Sequence, residues 1–193
     1  MGAQRQIRAF LVQSFGKDKG KALFARQSKI RKTLIQNQKD TSTTQKIALA
    51  TTILPSIALY KALRENGFSQ QRAHARVQSY MLDTVAAKMH TFAAKTEPVP
   101  GFYALYSRIF LAVMRRADLW QSEQVCGRDS FDVTIYKCLW HTACAENGCP
   151  ELCRVFCEAD NVTYGGLKKI GFTRTQTLGC GGSCCDFHFY KKR

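Results

Sequence analysis

The residues best suited to chemistry in this sequence are its nine cysteines, all of which lie between Cys126 and Cys185. A thiolate is a nucleophile and a soft metal ligand, and two thiols can become a disulfide. Cys149, Cys153 and Cys157 recur at a spacing of four. The last two fall in a segment that reads as a helix, so they face the same way. If the protein holds zinc or iron, Cys149, Cys153 and Cys157 are the ligands to expect, although zinc sites more often draw on closely spaced pairs in loops and iron–sulfur motifs use other spacings. Near the C-terminal end, alternation puts Cys185, Phe187 and Phe189 on one strand face and Cys184, Asp186 and His188 on the other. Phenylalanines turned to a core would bury Cys185 at least in part, where a thiol also serves as a small apolar group. Cys138 shares a face with Tyr136 and Trp140. His74 and His90 read as surface residues of a helix, whereas His141 and His188 belong to the sulfur-rich region. Closeness in sequence to a thiol does not make a catalytic dyad. No nucleophile elbow, phosphate loop or dinucleotide fingerprint is present; Gly165-Gly166 and Gly181-Gly182 read as turns.

The elements that must position these residues divide the chain in two. Apolar residues at helical spacing predict helices over residues 2–15 and 17–38, carried by Phe10, Leu11 and Phe15 and then Leu23, Phe24, Ile30, Leu34 and Ile35. A polar break at 41–44 precedes a helix that kinks or restarts at Pro55 and stops at Asn66-Gly67. Ser69 caps the next helix, which runs to about Lys95. The run Glu97-Pro98-Val99-Pro100-Gly101 is a linker, and residues 102–119 form a further apolar helix. After Gly127 the period becomes two: residues 131–139 read as a strand, 151–159 as a short helix behind Pro150, and 172–177 and 184–190 as two strands of a β-hairpin turning at Gly179-Cys180-Gly181-Gly182. The expected fold is α+β in one domain over residues 1–193. Residues 1–100 are mainly helical, and a Cys-rich α+β part at 101–193 carries a small antiparallel sheet that ends in the hairpin.

With 193 residues and 45% apolar composition, the chain can bury a real core without disulfides. An odd cysteine count argues against a complete disulfide framework. The first fifteen residues lack the long apolar run and small-residue cleavage site of a signal peptide, and residues 47–63 are interrupted by Pro55, Thr51, Thr52, Ser56 and Lys61, so they read as a buried helix rather than a membrane span. The expectation is a cytoplasmic protein with reduced thiols and no membrane partner. There are 29 Lys and Arg against 14 Asp and Glu, and residues 1–72 carry +11 of the formal +15. The basic residues Arg26, Lys29, Arg31 and Lys32 spread around a helix and accompany no recognised nucleic-acid module, so nucleic acid is not the expected partner. Attraction of a small anionic molecule is.

The sulfur-rich third reads Tyr136-Lys137-Cys138, then Gly148-Cys149-Pro150-Glu151-Leu152 and Phe156-Cys157-Glu158-Ala159-Asp160. It continues with Gly171-Phe172-Thr173-Arg174-Thr175-Gln176-Thr177-Leu178 and Cys185-Asp186-Phe187-His188-Phe189. This order resembles the L-2-amino-thiazoline-4-carboxylic acid hydrolase family over roughly residues 130–190. A fainter echo runs from Leu54-Pro55 to Ser69. The end of the hairpin is also similar to vinyl-reductase-type small-molecule-binding domains, which gives the second functional expectation: a non-catalytic small-ligand or metal-binding sensor or accessory module of the same fold. The hydrolase resemblance implies a substrate with an amidine-like carbon between ring sulfur and nitrogen and a carboxylate, opened by water to a carbamoyl-cysteine, with no cofactor. Carried over, the family pattern falls on Cys138, Cys157, Asp160, Arg174, Thr177, Gly181, Cys185, Asp186 and Phe187. It implies Asp160 or Asp186 as base and Cys157 or Cys185 as nucleophile or polarisable wall. Arg174 would hold the substrate carboxylate, and Thr177, Cys138 and His188 would complete the binding set. Arg174 could instead pair with Asp186 across the hairpin, and Asp160 could cap the following segment. Cys126, Cys144, Cys149, Cys153, Cys180 and Cys184 are additions to that pattern.

Overall fold

The structure, a computed structural model, describes residues 2–38 and 41–193; Met1, and Lys39 and Asp40, which count in the charge balance, lie outside them. Helices α1 (Ala3–Phe15) and α2 (Lys17–Gln36) fold back on one another, with Ile7, Leu11 and Leu23 buried and the lysines of α2 turned outward. Gly20 lets them cross closely: a Cβ there would sit 2.6 Å from the Leu11 carbonyl oxygen.

The Ser42 hydroxyl accepts from the Gln45 amide at 3.1 Å and starts α3 (Thr43–Ala48). The break expected at Pro55 is a widened π-helical turn, Leu49–Ile53, directly ahead of α4 (Leu54–Glu65). Proline has no N–H, and its ring crowds the preceding turn, so the looser spacing is placed there. Residues 43–65 are long and apolar enough to cross a membrane, yet 61% of their most apolar window is buried inside the protein. Ser69 accepts from the Arg72 amide at 3.3 Å to cap α5 (Gln70–Ser79), which passes through a second π-helical stretch, Tyr80–Ala86, into α6 (Ala87–Thr96). The 97–101 linker then leads into α7 (Phe102–Arg116).

Among the described residues the sheet has four antiparallel strands, β1 (Trp120–Cys126), β2 (Ser130–Cys138), β3 (Ile170–Thr173) and β4 (Cys185–Lys191), in the order β1-β2-β4-β3. Between β2 and β3 the chain forms α8 (Leu139–Glu146), a short 3₁₀ turn at Pro150–Leu152 and α9 (Cys153–Tyr164). Strand β1 and helix α8 go beyond the sequence expectation, and α9 runs five residues further than expected. The expected tight hairpin turn is an eleven-residue loop, 174–184, because the chain leaves the sheet at Arg174: the Asp186 carboxylate takes the Thr175 and Gln176 amides that a ladder would otherwise use.

Two apolar clusters result. The helical one holds Ile53, Leu59, Tyr80, Cys144, Leu152, Cys153 and Phe156. The other lies on the inner face of the sheet and holds Phe131, Val133, Ile135, Cys185, Phe187 and Phe189 under α7. Helix α9 lies along their seam, and so do the residues singled out above.

Candidate functional site

Cys153, Cys157, Asp160 and Tyr164 recur at steps of four, three and four along α9 and therefore form one stripe. The stripe faces the 174–184 loop and the start of β4. Arg174, the first residue of the loop, spans the gap: its Nη1 donates to Asp160 Oδ2 at 3.2 Å and its Nη2 to the Cys157 carbonyl at 2.5 Å. Its guanidinium carbon lies 5.9 Å from the Phe172 ring centre and 5.8 Å from that of Phe187. The side chain is only 10% exposed, whereas Asp160 keeps 32% of its side-chain surface open. The pairing of Arg174 is thus with Asp160 and not with Asp186.

A second contact closes over the thiols. Leu178–Cys180 forms a 3₁₀ turn whose Leu178 amide donates to Cys185 Sγ at 3.4 Å. At Gly179 a Cβ would come within 2.7 Å of Cys157 Sγ and 2.9 Å of Cys153 Sγ. The missing side chain is what lets this turn rest on two sulfurs. Gly179→Ala is therefore expected to cost about 1–3 kcal/mol by overpacking, read as a lower midpoint in denaturant with unchanged slope; an unchanged midpoint would mean that the turn does not sit on the thiols. On its other side the turn borders an open groove of about 800 Å³ that also reaches His74, Glu151 and Glu158.

The electrostatics follow from burial. Asp160 is pushed up to about 7, because desolvation outweighs the Arg174 charge and hydrogen bond that favour its anion. Its neighbours include the phenols of Tyr106 and Tyr164, both driven upward by desolvation and then by the Asp160 charge. The Tyr106 hydroxyl is buried and, among the described residues, has no hydrogen-bond partner. Cys153, like Cys149, moves opposite to Cys138, Cys144, Cys157 and Cys185: hydrogen bonds from Cys144 and Cys157 favour its thiolate, and it opens α9, where the helix dipole does the same. Cys157 is pushed up, first by donating to Cys153 and then by desolvation, while the neighbouring Thr177 opposes the shift. Cys185 is raised by burial, and burial takes Cys138 up to about 12. Cys138 reaches this inner face through a β-bulge: β2 has one extra residue near Tyr136, opposite the Gln121–Ser122 step, and the alternation beyond it is reset.

The structure thus brings Cys138, Cys157, Asp160, Arg174, Thr177 and Cys185 together. It places two other candidates elsewhere. Asp186 lies on the opposite face of β4, where burial raises its carboxyl, but the Thr175 hydroxyl and the Gln176 and Thr175 amides outweigh this and hold it below its usual range. It staples the loop. His188 stands on the same outer face with Nδ1 2.6 Å from Asp132 Oδ1 and stacks on Tyr190. Cys149 contacts Cys144 rather than the 174–184 loop. Among the described residues no three His, Cys, Asp or Glu side chains are arranged to hold one metal ion. Tyr106 and Tyr164 were not foreseen. Tyr164 lies one further helical step beyond Asp160, past the expected end of the helix at Ala159, and Tyr106 comes from α7, fifty-four residues before Asp160.

The α+β scaffold thus sets a partly open carboxylate, its buried arginine and several thiols against one another along α9, the 174–184 loop and β4. The model of the L-2-amino-thiazoline-4-carboxylic acid hydrolase family matches residues 45–189 of the 193, and the chain belongs to that family. The match takes in helices α4 to α7 as well as the sulfur-rich third. No curated protein matches the chain in sequence. Among solved structures, similar chains include an H-NOX protein from S. oneidensis in the Fe(II) ligation state (10% identity over all of this chain and 97% of that one, TM-score 0.39) and an Fe(II) unliganded H-NOX protein from K. algicida (11% identity, 100% and 97%, TM-score 0.35). Both TM-scores are too low to imply a shared fold.

Proposed function

We propose that this protein hydrolyses a small cyclic carboxylated substrate of the 2-amino-thiazoline-4-carboxylate type, with Asp160 moving the proton. The observation that carries this reading is the Asp160–Arg174 pair, partly open to solvent and set beside Cys157 and Cys185. A carboxylate that titrates near neutrality can both take and return a proton at cellular pH. Water adds its oxygen to the amidine-like carbon and gives one proton to Asp160. The bond from that carbon to ring sulfur then breaks, Asp160 returns its proton to the departing sulfur, and the second proton of the water passes to the ring nitrogen as the carbonyl forms. The products are a free thiol and a carbamoyl group on the retained nitrogen. Arg174 is a positioning residue, since two of its donors already hold Asp160 and the Cys157 carbonyl. Cys157 and Cys185 form a soft wall for the substrate sulfur.

The test is direct. The purified protein is incubated with 2-amino-thiazoline-4-carboxylate, and carbamoyl-cysteine and free thiol are followed together. Equal formation of both above the uncatalysed rate is expected; no product overturns the assignment. Because water is the nucleophile, Cys153→Ser, Cys157→Ser and Cys185→Ser should each keep activity within about tenfold of the parent. A loss beyond about 10³ at one of them would move the nucleophile to that sulfur.

A further inference from the structure

A cavity of about 890 Å³ lies at the other end of the sheet and plays no part in this chemistry. Six basic side chains line it, from three separate segments: Arg128 in the β1–β2 turn, Lys168 and Lys169 ahead of β3, and Lys191, Lys192 and Arg193 at the end of β4. One acid, Asp129, faces them, with Oδ1 3.7 Å from Lys191 Nζ. The nearby Glu97 carboxylate is already engaged by the Lys169 amide at 2.7 Å. The floor is apolar, made of Phe102, Leu111 and Phe131. Helix α7 begins in the same groove with neither a capping side chain nor an acid in its first turn, so its first amides add to the positive field.

Basic residues on α2 point in many directions from a convex surface. Here the chain folds three segments together so that six basic residues line one concavity, Lys192 with its Nζ on the Leu167 carbonyl at 2.8 Å, against the one acid Asp129, a formal excess of five charges that repel one another when nothing negative is present. The cavity is of the size that encloses small ligands, roughly 300–1,000 Å³. A substrate with a single carboxylate would leave most of this charge unmatched. We infer that the groove is a second binding site, separate from the thiol site, for a small molecule that carries a phosphoryl group or another cluster of negative charges beside an apolar portion.

Calorimetry of the intact chain with inorganic pyrophosphate tests this. One-to-one saturable binding is expected, weakened at least tenfold by Lys168→Gln with Arg193→Gln and unchanged by Lys29→Gln with Lys32→Gln on α2. Equal weakening by both double variants, or no saturation, overturns the site. A footprint on the unmodified protein does not depend on any variant folding. Cys126 is exposed in the groove and Cys180 is exposed far from it. Saturating pyrophosphate should slow alkylation of Cys126 at least threefold and leave Cys180 unchanged; equal rates at Cys126 with and without ligand refute the proposal. A short DNA duplex that displaces pyrophosphate at lower concentration, with a stoichiometry set by duplex length, would make the surface a nucleic-acid site and overturn the small-molecule reading.

Discussion

Asp160→Asn is expected to lower kcat/KM for ring opening by about 10²–10⁴ while leaving the fold intact. Asparagine keeps the shape and can still accept from Arg174, but it cannot carry a proton from water to sulfur. Two pH profiles separate this role from a structural one. In the parent protein the base must be ionised, so kcat/KM should rise between pH 5 and 8 with an inflection near the Asp160 value of about 7; the variant should lack that inflection. Stability should move the other way. The folded carboxyl holds its proton up to about 7, while the unfolded chain releases it near 3.8. Between those values the unfolded state binds fewer protons, so the contribution of Asp160 is fully present below about 4 and is lost as pH rises through 7. The Tm of Asp160→Asn relative to the parent should therefore climb across that window and level off above it. An activity profile with its inflection retained in the variant would remove Asp160 as the proton carrier. A flat Tm difference would mean that the carboxyl is not desolvated.

The parts of this site that could be read from sequence are those set by local rules. The shared face of Cys153 and Cys157 follows from helical spacing, although the expected helix stopped at Ala159, short of Asp160 and Tyr164, and the burial of Cys185 with Phe187 and Phe189 follows from strand alternation. The polar break at 41–44, the cap at Ser69 and the stop at Asn66-Gly67 marked helix ends correctly because each satisfies backbone groups within a few residues. What stayed hidden depends on contacts distant in sequence. Strand β1 has mostly polar residues and owes its place to β2 and to the stacking of Trp120 on Trp140 at 5.4 Å. Helix α8 continues an apolar run that reads as strand until Leu139. The bulge that turns Cys138 inward exists only in the pairing of two strands. The choice of Asp160 over Asp186 as the partner of Arg174 was open to alternation and spacing alike. It was decided when Asp186 was taken up by the Thr175 and Gln176 amides and Asp160 was left facing the guanidinium across a narrow seam. Asp186 and His188, attractive by type, share a strand face that the sheet turns away from the thiols.

The second large effect belongs to Arg174. Arg174→Gln removes the charge, both hydrogen bonds and the cation above two phenylalanine rings, and strands a carboxyl in a poorly solvated place. Leaving a partly open carboxyl without its partner costs about 1–3 kcal/mol. For a chain of this length each kcal/mol is worth about 2–4 °C, so a fall in Tm of roughly 2–12 °C is expected. Loss of stability alone would not show that Arg174 positions a catalytic group; the pH profile does. The guanidinium is the main influence that favours the Asp160 anion, so its removal should shift the activity inflection to higher pH, and the loss of kcat should be greatest at neutral pH and partly recovered in alkaline buffer. Arg174→Lys keeps a positive charge but has no fork, and so it can reach Asp160 or the Cys157 carbonyl but not both. It should restore the inflection toward its original position while leaving part of the stability loss in place. An inflection unchanged in Arg174→Gln would mean that the pair is structural and that Asp160 is tuned by burial alone, whereas a KM raised many-fold with kcat and the inflection unchanged would return Arg174 to the role of direct carboxylate binder.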